Sequence, residues 1–139
     1  MIKFTDEMKE RVNNAFRDKK FCLLATASKD GRPSVSFRGS VFVWDDEHLA
    51  LWERSRLWGA EHMEENPNVV VLYADLPARV GWRFIGQATL YKEGEMRQKI
   101  MDRTNQAELD RDPDRKGYGV LIRIDAIRGY GGDQVLQKR

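Results

Sequence analysis

The chain has 139 residues, 41% of them hydrophobic, which suffices for one core without metals or disulfides. Its 24 Lys and Arg oppose 22 Asp and Glu, a net charge of +2, so it lacks the strong basic excess of proteins that grip nucleic acid by its phosphates. The N-terminus Met1–Glu7 lacks a basic start and a long apolar stretch, no apolar run approaches the roughly 18 residues of a membrane span, and a cytoplasmic address is expected.

In chain order, Thr5 caps a helix reaching Lys19-Lys20, with Met8, Val12, Ala15 and Phe16 at helical spacing. A strand follows over Phe21–Ser28, containing the one cysteine, Cys22, read as a buried, inert thiol. Lys29-Asp30-Gly31 supplies a hairpin turn, and Ser34–Val43 returns as a second strand. Trp44–Glu47 forms a solvated turn before a third strand at His48–Glu53. Leu57–Glu65 reads as a short helix ended by Asn66-Pro67.

Strands are then expected at Val69–Ala74 and Val80–Tyr91, the latter interrupted by Gly81 and Gly86, where a bulge or close backbone approach fits. A helix over Glu95–Asp110 and a strand over Tyr118–Ile127 complete the pattern, and Arg128–Arg139 reads as a less ordered tail. Strands and helices do not alternate regularly, so one α+β domain over residues 1–139 is expected, a small antiparallel barrel of six or more strands with flanking helices.

Several chemistries are excluded. His48 and His62 are the only histidines and share no metal-binding spacing, and no Gly-x-Ser-x-Gly elbow occurs. Gly81–Gln87 has P-loop glycine spacing without its Lys and Ser/Thr, and Gly129–Gly132 has no helix after it. No general acid or base stands out, so no catalytic residue is assigned.

Two segments remain. Alternation sets Ser36, Arg38 and Ser40 on one strand face, which reads either as an outward polar face or as a cradle for an anion or carbonyl, with Gly39 admitting a flat ring. Trp52-Glu53-Arg54-Ser55-Arg56 leaves a strand and enters a helix, either as a charged helix start with a capping serine or as a phosphate site.

Together with Leu24-Ala25-Thr26, Asp30-Gly31-Arg32-Pro33, Asn66-Pro67-Asn68-Val69 and Trp82-Arg83-Phe84-Ile85-Gly86, these segments make residues 18 to 127 resemble the FMN-binding split barrels of the pyridoxamine 5′-phosphate oxidase-like superfamily. The resemblance implies a Greek-key-like split barrel, a homodimer and FMN held between subunits, with related barrels binding deazaflavin F420 or haem instead. It implies that Ser36, Arg38, Gly39 and Ser40 meet the ring, that Trp52, Glu53, Arg54, Ser55 and Arg56 meet the phosphate, and that Arg83 contributes to the site. Relatives often carry a phosphate-binding lysine where this chain has Gly59, so Arg54, Ser55 and Arg56 would substitute. Phe37 and Phe42 replace the oxidase's phosphate-binding Arg and Lys, which argues against pyridoxamine phosphate oxidation. The implied activity is an FMN-dependent oxidoreductase acting on a small molecule, or else a flavin carrier or sensor without turnover.

Overall fold

The computed structural model describes Met1–Arg139, apart from the side chains of Arg56 and Leu57. Thr5 Oγ1 accepts the Met8 amide and starts α1 (Asp6–Asn13), which ends well before Lys19-Lys20; the residues after it form turns, with Lys19 at a φ of 57°. Met8 and Val12 bury its apolar stripe against the sheet.

The strands are β1 (Cys22–Ala27), β2 (Pro33–Arg38), β3 (Phe42–Val43), β4 (His48–Glu53), β5 (Asn68–Asp75), β6 (Val80–Tyr91), β7 (Tyr118–Gly129) and β8 (Val135–Lys138). They form one antiparallel sheet, eight-stranded among the described residues, in the order β2-β1-β5-β6-β7-β4-β3, with β8 added to β7. The sheet curls around Leu24, Leu51, Val71, Phe84, Ile122 and Ile124, all at 1% exposure or less, giving the expected α+β split barrel.

The segment expected as one strand over Ser34–Val43 is two. β2 lies at one end of the sheet order and β3 at the other, so Gly39-Ser40-Val41 carries the chain across the split. Alternating polarity continues through this crossing, which is why local pattern does not reveal it. Six residues, Arg56–Glu61, form a π-helical turn that leads into α2 (His62–Glu65). The helix expected over Glu95–Asp110 is broken at Thr104-Asn105 into α3 (Gly94–Arg103) and α4 (Gln106–Leu109).

At Gly86 the β6–β7 register shifts, and an added Cβ would lie 2.1 Å from the Arg123 carbonyl oxygen. Only glycine fits that bulge. The tail read as less ordered instead contains β8, held by paired bonds at 2.7 Å between Gln137 and the Lys3 backbone. Those bonds join opposite ends of the chain, beyond the reach of local sequence pattern.

The outer face of β2-β1-β5-β6 is apolar. Val35 is 64% exposed and Phe37 67%, and the register continues this surface through half-buried Leu23, Ala25, Val70, Leu72 and Ile85.

Candidate functional site

β2 and the end of β4 meet across the split through Arg38 and Glu53. β4 is buried along most of its length, and its last residue, Glu53, is a carboxylate at 1% exposure. Such a charge persists only when paired and hydrogen-bonded. Arg38 Nε donates to Glu53 Oε2 at 2.9 Å, and the Ser55 amide donates to Oε1 at 2.9 Å. Arg38 Nη1 also donates to Ser36 Oγ and, at 3.1 Å, to the Phe37 carbonyl. The cation flanked by a hydroxyl is therefore present, but its main partner is an internal carboxylate.

The absence of lysine at Gly59 now has a physical reason. An added Cβ there would stand 2.6 Å from Glu53 Cδ, so the π-helical turn packs directly on the buried carboxylate. Ser55 Oγ accepts the Gly59 amide at 3.3 Å, the capping role that the sequence left open.

Arg54 projects outward, with 39% of its side chain exposed, and its Nη2 lies 3.9 Å from Glu108 Oε2 on α4. Phe37, Arg38, Trp52, Glu53, Arg54, Ser55 and Glu108 line a cleft of about 210 Å³. A second cleft of about 320 Å³ shares Phe37, Arg54 and Glu108 and adds Phe16, Phe21, Gly39 and Arg111.

The other candidate residues serve the fold. Ser40 Oγ accepts the Trp52 amide and donates to the Trp52 carbonyl, each at 3.0 Å, so this buried serine links the crossing segment to β4 rather than facing the cleft beside Arg38. Trp52 is buried, its Nε1 donating to Asp112 Oδ2 at 2.9 Å beneath the Arg97 guanidinium. Burial works to raise the Asp112 carboxyl, but the Lys116 amide, the Trp52 indole and the Gly117 amide outweigh it and hold it below the usual carboxylate range.

Gly39 does not open onto a free surface. A Cβ there would lie 2.9 Å from Glu108 Oε1 and 3.1 Å from the Phe16 ring, so the expected approach of a flat ring meets the chain's own side chains. Arg83 stands apart: it shares a row with Leu72, Leu23 and Phe37 across four strands, roughly 14 Å from Phe37 at ~4.8 Å per strand. Its Nε donates to the Gly129 carbonyl at 2.7 Å and its Nη2 to that of Gly132, fixing the β7–β8 hairpin. The Arg56 side chain lies outside the described residues.

The structure thus brings together Ser36, Arg38, Glu53, Arg54 and Ser55. It adds Phe16, Glu108 and Arg111, which arrive from distant segments and carry no local sequence signal. A further groove of about 780 Å³ between the β1–β2 hairpin and α2 is lined by Arg32, Trp58, Glu61 and His62 among others. His62 Nδ1 lies 3.3 Å from Thr26 Oγ1, with the Trp58 ring edge-on to the imidazole. Among the described residues no group of three His, Cys, Asp or Glu is arranged to hold a metal ion, and no helix is long and apolar enough to cross a membrane.

Known proteins share this architecture. HupZ of Group A Streptococcus superposes with a TM-score of 0.76 at 20% identity, covering 96% of this chain and 99% of its own. An FMN-binding protein from Syntrophomonas wolfei subsp. wolfei superposes with a TM-score of 0.64 at 15% identity, covering 92% of this chain and 89% of its own. In sequence, Uncharacterized protein MJ0282 of Methanocaldococcus jannaschii is 32% identical over 133 residues, 91% of this chain and 80% of that protein. The family model described as pyridoxamine 5′-phosphate oxidase matches residues 4–131, which includes both segments at the split and the Asn-Pro turn after α2, and the chain belongs to that family.

Proposed function

We propose that this protein binds FMN at the split, in clefts completed by a second copy of the chain, and serves as an FMN-dependent oxidoreductase for a small-molecule substrate. The observation that carries this reading is the rim of Arg54, Ser55 and Arg111 at clefts that open beside the exposed apolar face of β2. Arg54 and Arg111 supply guanidinium donors suited to phosphate, and the Ser55 hydroxyl, though accepting from Gly59, retains a proton to donate. Solved relatives described as FMN-binding support the choice of flavin phosphate over F420 or haem, the other cofactors of related barrels.

The clefts measure about 210 and 320 Å³, one below and one at the lower edge of the ~300–1,000 Å³ usual for ligand sites, so a second chain would add lining around a flavin. The apolar surface from Val35 and Phe37 to Ile85 is the natural seat of the second chain, and burying it removes exposed apolar area from water. Bound FMN supplies hydride or electron transfer, while Arg54 and Ser55 bind its phosphate and Phe37 lends an apolar surface.

A flavin carrier without turnover is the second reading, favoured by the engagement of both cleft carboxylates with the chain's own arginines, Glu53 with Arg38 and Glu108 with Arg54.

Absorption spectra of concentrated protein, followed by FMN titration, test the cofactor: the expected result is flavin bands and saturation near one FMN per chain. Haem or deazaflavin bands, or no flavin uptake, would overturn it. Stopped-flow reoxidation of the reduced holoprotein separates enzyme from carrier, since substrate-dependent turnover is expected only of the former.

A further inference from the structure

Glu108 is a nearly buried carboxylate, 7% exposed, for which phosphate binding has no evident use. Its place is fixed from two sides. Asn105 Oδ1 accepts the Glu108 amide at 2.8 Å while Asn105 Nδ2 donates to the Gly39 carbonyl at 2.9 Å, clamping α4 onto the crossing segment. Glu108 Oε1 occupies the space that Gly39 leaves, and Oε2 lies 3.9 Å from Arg54.

Two of the cleft arginines face carboxylates, Arg38 facing Glu53 and Arg54 facing Glu108, while Arg111 lines the larger cleft beside them. The first pair is tight at 2.9 Å, and the second, at 3.9 Å, leaves guanidinium donors free to turn.

We propose that Glu108 is an internal counter-anion that competes with the phosphate of an incoming ligand for Arg54 and so sets how strongly the site distinguishes phosphorylated from unphosphorylated flavin. This rests on the reading of the cleft as a phosphate site. A phosphate dianion brought to Arg54 also meets the Glu108 carboxylate, and like charges at such range in a partly buried cleft repel. Neutralising Glu108 removes that repulsion and frees Arg54; a flavin without phosphate is indifferent to the change.

Glu108→Gln keeps size and shape, so α4 and its clamp should persist. Titrations with FMN and with riboflavin, followed by flavin fluorescence, should show FMN affinity rising about tenfold in the variant with riboflavin unchanged. The double variant with Arg54→Ala should lose the gain. An FMN-to-riboflavin affinity ratio equal in wild type and variant would overturn the proposal. Inorganic phosphate provides an arm independent of flavin: at matched ionic strength it should raise the melting temperature of Glu108→Gln more than that of wild type, and Arg54→Ala should abolish the difference. Should the wild type bind neither flavin, the cofactor reading fails, and the phosphate arm alone decides the role of Glu108. Glu108→Ala, which leaves the space beside Gly39 uncrowded, carries the same comparisons if the glutamine variant does not fold.

Discussion

Arg38 and Glu53 form an ion pair across the split at 2.9 Å, with 16% and 1% of their side chains exposed. Removing the cation leaves a buried carboxylate with the Ser55 amide as its remaining bonded partner among the described residues. Arg38→Ala should therefore cost about 3–5 kcal/mol of stability, measured by urea or guanidinium unfolding. A variant as stable as wild type, with lowered FMN affinity, would instead make Arg38 a ligand-binding group.

Arg54→Ala should do the opposite. Its side chain is 39% exposed and its contact with Glu108 is loose, so unfolding should change little. FMN binding should weaken by about 1.5–3 kcal/mol, the range for a charge-assisted bond, while riboflavin binding is retained. Unchanged FMN affinity places the phosphate elsewhere.

Val35 lies on the outer apolar face and outside both clefts. Val35→Asp should shift the protein toward monomer in sedimentation experiments and, by mass action, lower apparent FMN affinity at equal chain concentration. A dimer of undiminished strength would move the subunit contact off this face.

Gly59 stands where the family resemblance implied a phosphate-binding lysine. Gly59→Ala places a carbon 2.6 Å from the Glu53 carboxylate and should cost about 1–3 kcal/mol by overpacking. Gly59→Lys should therefore destabilise the protein rather than tighten FMN, a result read from thermal unfolding and FMN titration on the same samples.

Burial pushes the Cys22 thiol up to about 12 from an ordinary 9.0. It should resist thiol reagents at pH 8 until the chain unfolds. Because the folded value is the higher, the thiol's contribution to stability is complete below pH 9 and falls as pH rises from 9 towards 12, where only the unfolded chain ionises. Cys22→Ala should flatten that part of the alkaline stability profile.

Local features were legible where local physics decides them. Thr5 announces α1, Gly31 sits at a φ of 82° in the hairpin turn, and β4 and β6 have the bounds their sequence suggests. Arg54 and Ser55 line a cleft where strand exit and helix entry are both written in the same five residues. What stayed hidden depends on tertiary pairing. Alternation puts Ser40 beside Arg38, yet the crossing turns its hydroxyl onto Trp52, and Arg83, read within a cofactor motif, is committed to a hairpin formed by the last residues of the chain. Glu108 faces Arg54 because α4 folds back over Gly39, a contact set by Asn105 and by no pattern near residue 54.

The crossing of the split also bears on when the site comes into being during folding. β1 and β2 are joined by a short turn and can pair early, whereas the β4–β7 rungs, such as Trp52 with Gly119, link residues about half the chain apart. Loop-closure entropy delays such rungs, and chains rich in them fold slowly, over about milliseconds to seconds. Arg38 travels with the early hairpin and Glu53 with the late ladder, so the pair that floors the cleft closes near the end of the process. A ligand that needs this floor finds little of it in the transition state. It should therefore leave the folding rate almost untouched and act as a brake on unfolding.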